Sequence, residues 1–216
     1  MNNSTVANPL ASLLESLNLN LTASQPTQDA DLIKQLPFIP GLKEILMLRQ
    51  VHALEHASVW VLGESESSGN TSAFKTALVD NELLGGLSTD RGFYIYGEVN
   101  KMNLQRAVRL ALQRLKSGEW DLAVHPRCGT NLSVGMLLTF GLAVGFHLIL
   151  PKEPIGQILG LGAAATAATQ LAPELGMLTQ RYITTAIPFN LEVVDITVTQ
   201  DVWGRTAHFV QVRWSE

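Results

Sequence analysis

The chain has 216 residues, 15 Lys+Arg against 19 Asp+Glu, a net charge of −4, 46% apolar residues and only 16% charged ones. Soluble domains carry about 25% charge, so this composition, with a mean hydropathy of +0.16, points away from a purely soluble protein. No basic run tracks phosphates, which argues against nucleic acid as a partner, and the single cysteine, Cys128, excludes an intramolecular disulfide and suits a reducing compartment.

Residues 1–39 are expected to form a mobile tail. The stretch up to Ala30 is rich in Ser, Thr and Asn and lacks the basic and long apolar regions of a signal peptide. Leu10, Leu13, Leu14 and Leu17 could make one short amphipathic turn. Pro37 and Pro40 delay the first long helix, which the apolar spacing of Leu42, Ile45, Leu46, Leu54, Val59 and Val61 predicts over 41–62. "GESESSGNTS" (63–72) reads as a loop. "LLGGLSTDRGFYIYGEVN" reads as two short strands around a Thr-Asp-Arg-Gly turn. Asn100 is a good N-cap for a helix whose stripe is Leu104, Ala107, Val108, Ala111 and Leu115 and which Gly118 ends. "EWDLAVHPRCGTNL" reads as a strand running into a turn, with Thr130 or Asn131 capping the next helix.

Cys128 to Pro151 and Pro154 to Pro173 contain no Lys, Arg, Asp or Glu. A membrane span needs about 20 largely apolar residues, so these two runs, joined by "PKEP", are expected to be a transmembrane hairpin; the alternative is a pair of buried helices in a soluble fold. Gly141-x-x-x-Gly145 and Gly156-x-x-x-Gly160 would let backbones approach closely. Arg106, Arg109, Arg114, Lys116, Arg127 and Arg181 flank the hairpin, against Lys152 in its turn. That asymmetry places the head and both termini on the cytoplasmic side, of a plasma or thylakoid membrane. After the hairpin, Val194, Ile196 and Val198, then Phe209, Val210 and Val212 around Trp203-Gly204-Arg205, predict a β-hairpin that joins the first two strands. The fold class is therefore α+β: a small head of helices and short antiparallel strands (40–131), a two-helix membrane hairpin (132–173) and a C-terminal β-hairpin returning to the head (174–216).

Chemistry concentrates in two motifs. His52-Ala-Leu-Glu55-His56 sets two imidazoles one helical turn apart with a carboxylate on the same side. "HPRCGTN" adds His125 and Cys128. Imidazole and thiolate both suit zinc, so His52, His56, His125 and Cys128 are candidate metal ligands and Glu55 a candidate general base. Three ligands would leave a position open for water; all four would close the site and make it structural. Equally, the histidines could belong to a packed helix face, and Cys128 could be a small buried hydrophobe. His147 and His208 read as non-ligands. The order H-x-x-E-H is that of the inverzincin metallopeptidases. Those enzymes take a glutamate as third ligand from a downstream helix, where this chain offers His125 and Cys128.

"HALEHASVWVL", "GFYIYGEV", "GEWDLAVHPRCGTNL" and "LTQRYITT" resemble an uncharacterised family of small bacterial membrane proteins of cyanobacterial type, over about residues 40–215. The paired motifs are also similar to a wider group of uncharacterised bacterial membrane proteins carrying "HGAEHK" and "HPRCGT". The tail and "SESSGNTSAF" fall outside the resemblance, which implies a site but no reaction. Two functions emerge as expectations. One is a membrane-anchored, non-enzymatic assembly or scaffold factor with a His/Cys metal site, partnered by the lipid bilayer and by a second copy or another membrane protein. The alternative is a zinc-dependent, membrane-associated hydrolase using Glu55 as general base.

Overall fold

The computed structural model describes residues 28–67 and 82–215. The amphipathic turn expected at Leu10–Leu17 and the loop residues 68–72 lie outside the described residues. The elements are α1 (Gln28–Gln35), α2 (Leu42–Ser67), β1 (Gly85–Thr89), β2 (Gly92–Tyr96), α3 (Lys101–Lys116), α4 (Gly129–Ile149), α5 (Pro154–Thr179), β3 (Leu191–Gln200) and β4 (Thr206–Trp214). The protein is α+β, as expected. All four strands are antiparallel in the order β1-β2-β4-β3, so the C-terminal hairpin does complete the sheet begun at β1.

α2 is the axis of the head. Its middle is buried on nearly every side: Val51, Ala53, Leu54 and Ala57 are fully buried, and so are the polar residues Gln50 and Ser58, with Glu55 and His56 nearly so. A helix of that kind must be covered all round. The α3 stripe Leu104, Val108, Ala111 and Leu115 packs in the same core as the sheet's inward residues Phe93, Ile95, Ile196 and Val210. Burying each large side chain contributes about 1.5–3 kcal/mol. Leu54→Ala, at a fully buried position, would cost about 2–5 kcal/mol. α3 is capped by the Asn100 side chain, which accepts from the Met102 N–H at 2.8 Å, and Gly118 takes φ 109° just past its end.

Four local expectations are corrected. α2 does not stop at Leu62 but runs through Gly63 to Ser67. A mid-helix glycine costs about 1 kcal/mol; here Glu64 pairs with Arg114 on α3 at 2.6 Å and Ser65 Oγ donates to the Leu62 carbonyl, which holds the extra turn. Residues 28–35, placed by sequence in the tail, form α1, and buried Asp29 accepts from Gln50 on α2. The strand expected at "WDLAV" is a short 3-10 turn, Trp120–Ala123. It packs on α2 away from the sheet, so its β propensity meets no neighbouring strand. The cap of α4 is Cys128 rather than Thr130 or Asn131: Cys128 is extended (φ −65°, ψ 140°) and its sulfur accepts the Thr130 N–H. Asn131 instead donates to the Pro126 carbonyl and accepts from Gln180.

α4 and α5 form an antiparallel pair joined by the "PKEP" turn, with Pro154 in the first turn of α5. Both are long and apolar enough to cross a membrane, with mean hydropathy 2.0 for α4 and 1.2 for the segment Pro154–Thr184. No residue of α4 is buried within the protein; Leu137, Phe140 and Leu148 are among its outward side chains. The seam uses small residues of α5 four or eight apart, Gly160, Ala164, Ala168 and Gly176. A methyl at Gly160 would press on Leu150 and Phe146, whereas Gly141 and Gly145 face open space. The close approach expected at Gly141-x-x-x-Gly145 is thus absent from this pair. α5 ends in a wide π turn, Gln180–Thr184, closed by the Thr185 N–H and hydroxyl on the Gln180 carbonyl.

Candidate metal centre

The first turns of α4 and the π turn after α5 meet the middle of α2, and the two sequence motifs come together there. His52 Nε2 lies 3.2 Å from Cys128 Sγ. The rings of His52 and His56 stand 4.3 Å apart. One ligand atom from each of His52, His56 and Cys128 falls within 4.8 Å of the other two. His125 is not in that group. Its ring packs 4.6 Å from Trp60 and 5.7 Å from His56, and its Nδ1 accepts the Arg127 backbone N–H at 3.3 Å.

The histidine tautomers are set by their partners. His52 Nδ1 is 3.0 Å from the Thr184 carbonyl oxygen, and His56 Nδ1 is 2.7 Å from that of Ala123. A carbonyl oxygen only accepts, so each Nδ1 carries a proton and Nε2 is the ring nitrogen left to offer a lone pair to a metal. An imidazole whose far N–H is pinned on a carbonyl is the usual second layer of a metal ligand. The π turn supplies one of these carbonyls and the 3-10 turn the other. Both belong to irregular segments whose backbone oxygens are not consumed by a regular helix.

Burial pushes the Cys128 thiol up, but hydrogen bonding and charge from His56, with the Thr130 side chain and N–H, bring it below its ordinary value. Glu55 is buried, and burial lifts its carboxyl above the usual range, against the Ser88 hydrogen bond and the charge of His52. Ser88 donates from β1 to Glu55 Oε2. Gly86 sits directly over the same carboxylate, where a Cβ would collide with it. These groups, with His125 and Arg127, line a cavity of about 650 Å³ whose outer lip is Ile45, Leu48 and Ile183.

A buried glutamine locks the motifs in place. Gln180 is fully buried; its Oε1 accepts the His125 N–H at 2.8 Å and its Nε2 donates to Asn131 Oδ1 at 2.7 Å. Sequence reading passed over Gln180, Ser88 and Gly86. The Gly85-Gly86 pair inside a strand was a legible signal, because consecutive glycines weaken a strand unless something approaches it closely. Gln180, one polar residue after an apolar helix, offered none.

The chain is 50% identical over 192 residues to an uncharacterized protein of Picosynechococcus sp., an alignment covering 89% of this chain and 92% of the relative. No solved structure matches the chain. The model of the family described as Domain of unknown function (DUF6391) matches residues 47–196, a span holding α4, α5 and all the clustered side chains, and the chain belongs to that family.

Proposed function

We propose that this protein is a membrane-anchored zinc protein whose three-ligand site, His52, His56 and Cys128, carries out hydrolysis with Glu55 as general base. The observation that supports it is the pair of backbone carbonyls on His52 and His56, which turn both Nε2 atoms toward the thiol. Ligand atoms around tetrahedral zinc stand about 3.3–3.6 Å apart, given bond lengths of about 2.0–2.3 Å. A cluster already within 4.8 Å needs only side-chain adjustment to reach this. Zinc held by three protein ligands supplies Lewis acidity at an open position. Glu55, fixed by Ser88 at the wall of the cavity, takes a proton from attacking water and passes it to the leaving group. His125 orients the turn rather than completing a closed site. The hairpin lies in the bilayer, with the head and termini on the cytoplasmic side, where the flanking Arg and Lys favour them.

The scaffold reading remains the second one. One ion would fasten α2 to the cap of α4, which ties the head to its anchor. Elemental analysis of the purified full chain tests the shared premise: about one zinc per chain is expected, lost in Cys128→Ser and His52→Ala and kept in His125→Ala. Glu55→Gln then separates the two readings. Under the hydrolytic one it keeps zinc and loses hydrolysis of an activated ester such as p-nitrophenyl acetate; unchanged turnover leaves the structural role. Metal-free protein after zinc reconstitution would overturn both.

A further inference from the structure

The cavity does not lie over one face of the sheet. Gly85, Gly86, Leu87 and Ser88 all line it, although side chains alternate between faces along a strand. Gly86 and Ser88 point inward, toward Glu55; Leu87, paired with Tyr94, points outward. A cavity touching four consecutive residues runs along the strand's edge. β1 is the end strand of the sheet, and among the described residues no strand pairs with its outer side.

Thr89 and Gly92 flank a two-residue turn and pair with each other, so they form a hydrogen-bonded pair of the ladder. Counting back by twos, Leu87 and Gly85 also face β2. Gly86 and Ser88 therefore aim their N–H and C=O groups away from β2, at the free edge and into the cavity. An open edge of this kind recruits an extended chain as an added strand.

Gly85 supports the same conclusion. Its φ is not positive, and a Cβ there would make only ordinary contact with Tyr96, at 3.8 Å. Neither backbone conformation nor packing requires glycine at 85. Close approach of a ligand or another backbone is one of the reasons a strand carries such a glycine. The lip residues Ile45, Leu48 and Ile183, at 57%, 40% and 64% exposure, offer apolar contact to the incoming side chains.

We infer that the substrate of the proposed site is an extended polypeptide segment with apolar side chains, which binds by adding a strand to the free edge of β1 beside Glu55 and the His52/His56/Cys128 cluster. The inference rests on the hydrolytic reading for what happens to the peptide, but not for its binding. The probe is a mixture of end-blocked, dye-labelled hexapeptides with randomised apolar side chains. It is titrated into the full chain in lipid nanodiscs, as wild type and as Glu55→Gln, with zinc content measured in the same samples. Saturable polarisation is expected, with a shift of the Gly86 amide resonance in protein carrying isotope-labelled glycine. The same mixture, N-methylated at two adjacent central amides, loses backbone donors on both edges and should bind about tenfold more weakly. Equal binding of the methylated mixture, or an unmoved Gly86 resonance, overturns the inference. Displacement by phosphatidylglycerol vesicles without any methylation effect overturns it too, and assigns the cavity to lipid. Methylation-sensitive binding to zinc-free protein sinks only the metal reading, whereas zinc without such binding sinks only this one.

Discussion

Gly86→Ala isolates the contact between β1 and the buried carboxylate. The added Cβ would lie 2.5 Å from Glu55 Cδ and 2.8 Å from Cγ, and closer still to Oε1. Carbon contacts settle near about 3.5 Å, so the carboxylate must move by roughly 1 Å, which takes it out of reach of Ser88. A hydrogen bond to a charged group contributes about 1.5–3 kcal/mol. Relieving a strand glycine returns about 0.5 kcal/mol. The net cost is about 2 kcal/mol, roughly a thirtyfold shift in the folding equilibrium, read by chemical denaturation in detergent. In a Glu55→Ala background the methyl meets no carboxylate, and the same change should cost almost nothing. The double-mutant cycle is therefore the decisive measurement. Equal losses from Gly86→Ala in both backgrounds would refute the reasoning and show that strand geometry, not Glu55, demands the glycine. Zinc content should survive Gly86→Ala, because the atoms nearest the added methyl belong to Glu55 and not to the three clustered side chains.

Gln180→Ala leaves the buried His125 N–H and the Asn131 amide short of a partner, at about 1–3 kcal/mol each; limited proteolysis should then cut between the head and the hairpin, and unchanged resistance would count against the clamp. Cys128→Ser combined with His52→Ala should cost little more than either alone if both act on one ion, and fully additive losses would indicate independent packing residues. Asp201 gives a pH signature. Burial pulls its carboxyl up, but the Arg205 N–H, the Tyr96 hydroxyl, the Arg205 guanidinium and the Trp203 N–H outweigh this and hold it at about 2. A depressed folded-state value stabilises above the ordinary carboxylate range and is lost as pH falls toward 2. The β3–β4 turn should therefore loosen between roughly pH 4 and 2, seen as a change in Trp203 fluorescence, and Asp201→Asn should abolish that transition.

The helices and the long apolar pair were legible because their signals are long. Charge-free runs, the α3 stripe and the Asn100 cap each repeat one message over many residues. The convergence of the two motifs was legible as chemistry, since His and Cys are scarce here and clustered. The letters could not carry rank among equals. His52, His56 and His125 are the same residue type, and only the carbonyls of Thr184 and Ala123, against the Arg127 N–H on His125, separate the convergent pair from the third. The 3-10 turn was misread because "WDLAV" has strand propensity and no strand beside it. α2 ran on past Gly63 because Glu64 found Arg114 across the head, a contact 50 residues away in sequence.

The π turn has a consequence for the order in which the protein is made. The Thr184 carbonyl that sets the His52 tautomer lies beyond both long apolar helices. A growing chain that has released α2, β1, β2, α3 and even Cys128 still lacks the group that aims His52, and it lacks Gln180, which fixes the turn bearing His125. Assembly of the centre must wait until α4 and α5 have been synthesised and paired. A nascent or truncated head holds the right side chains in an unarmed arrangement, so pairing of the two long apolar helices and maturation of the site become a single event.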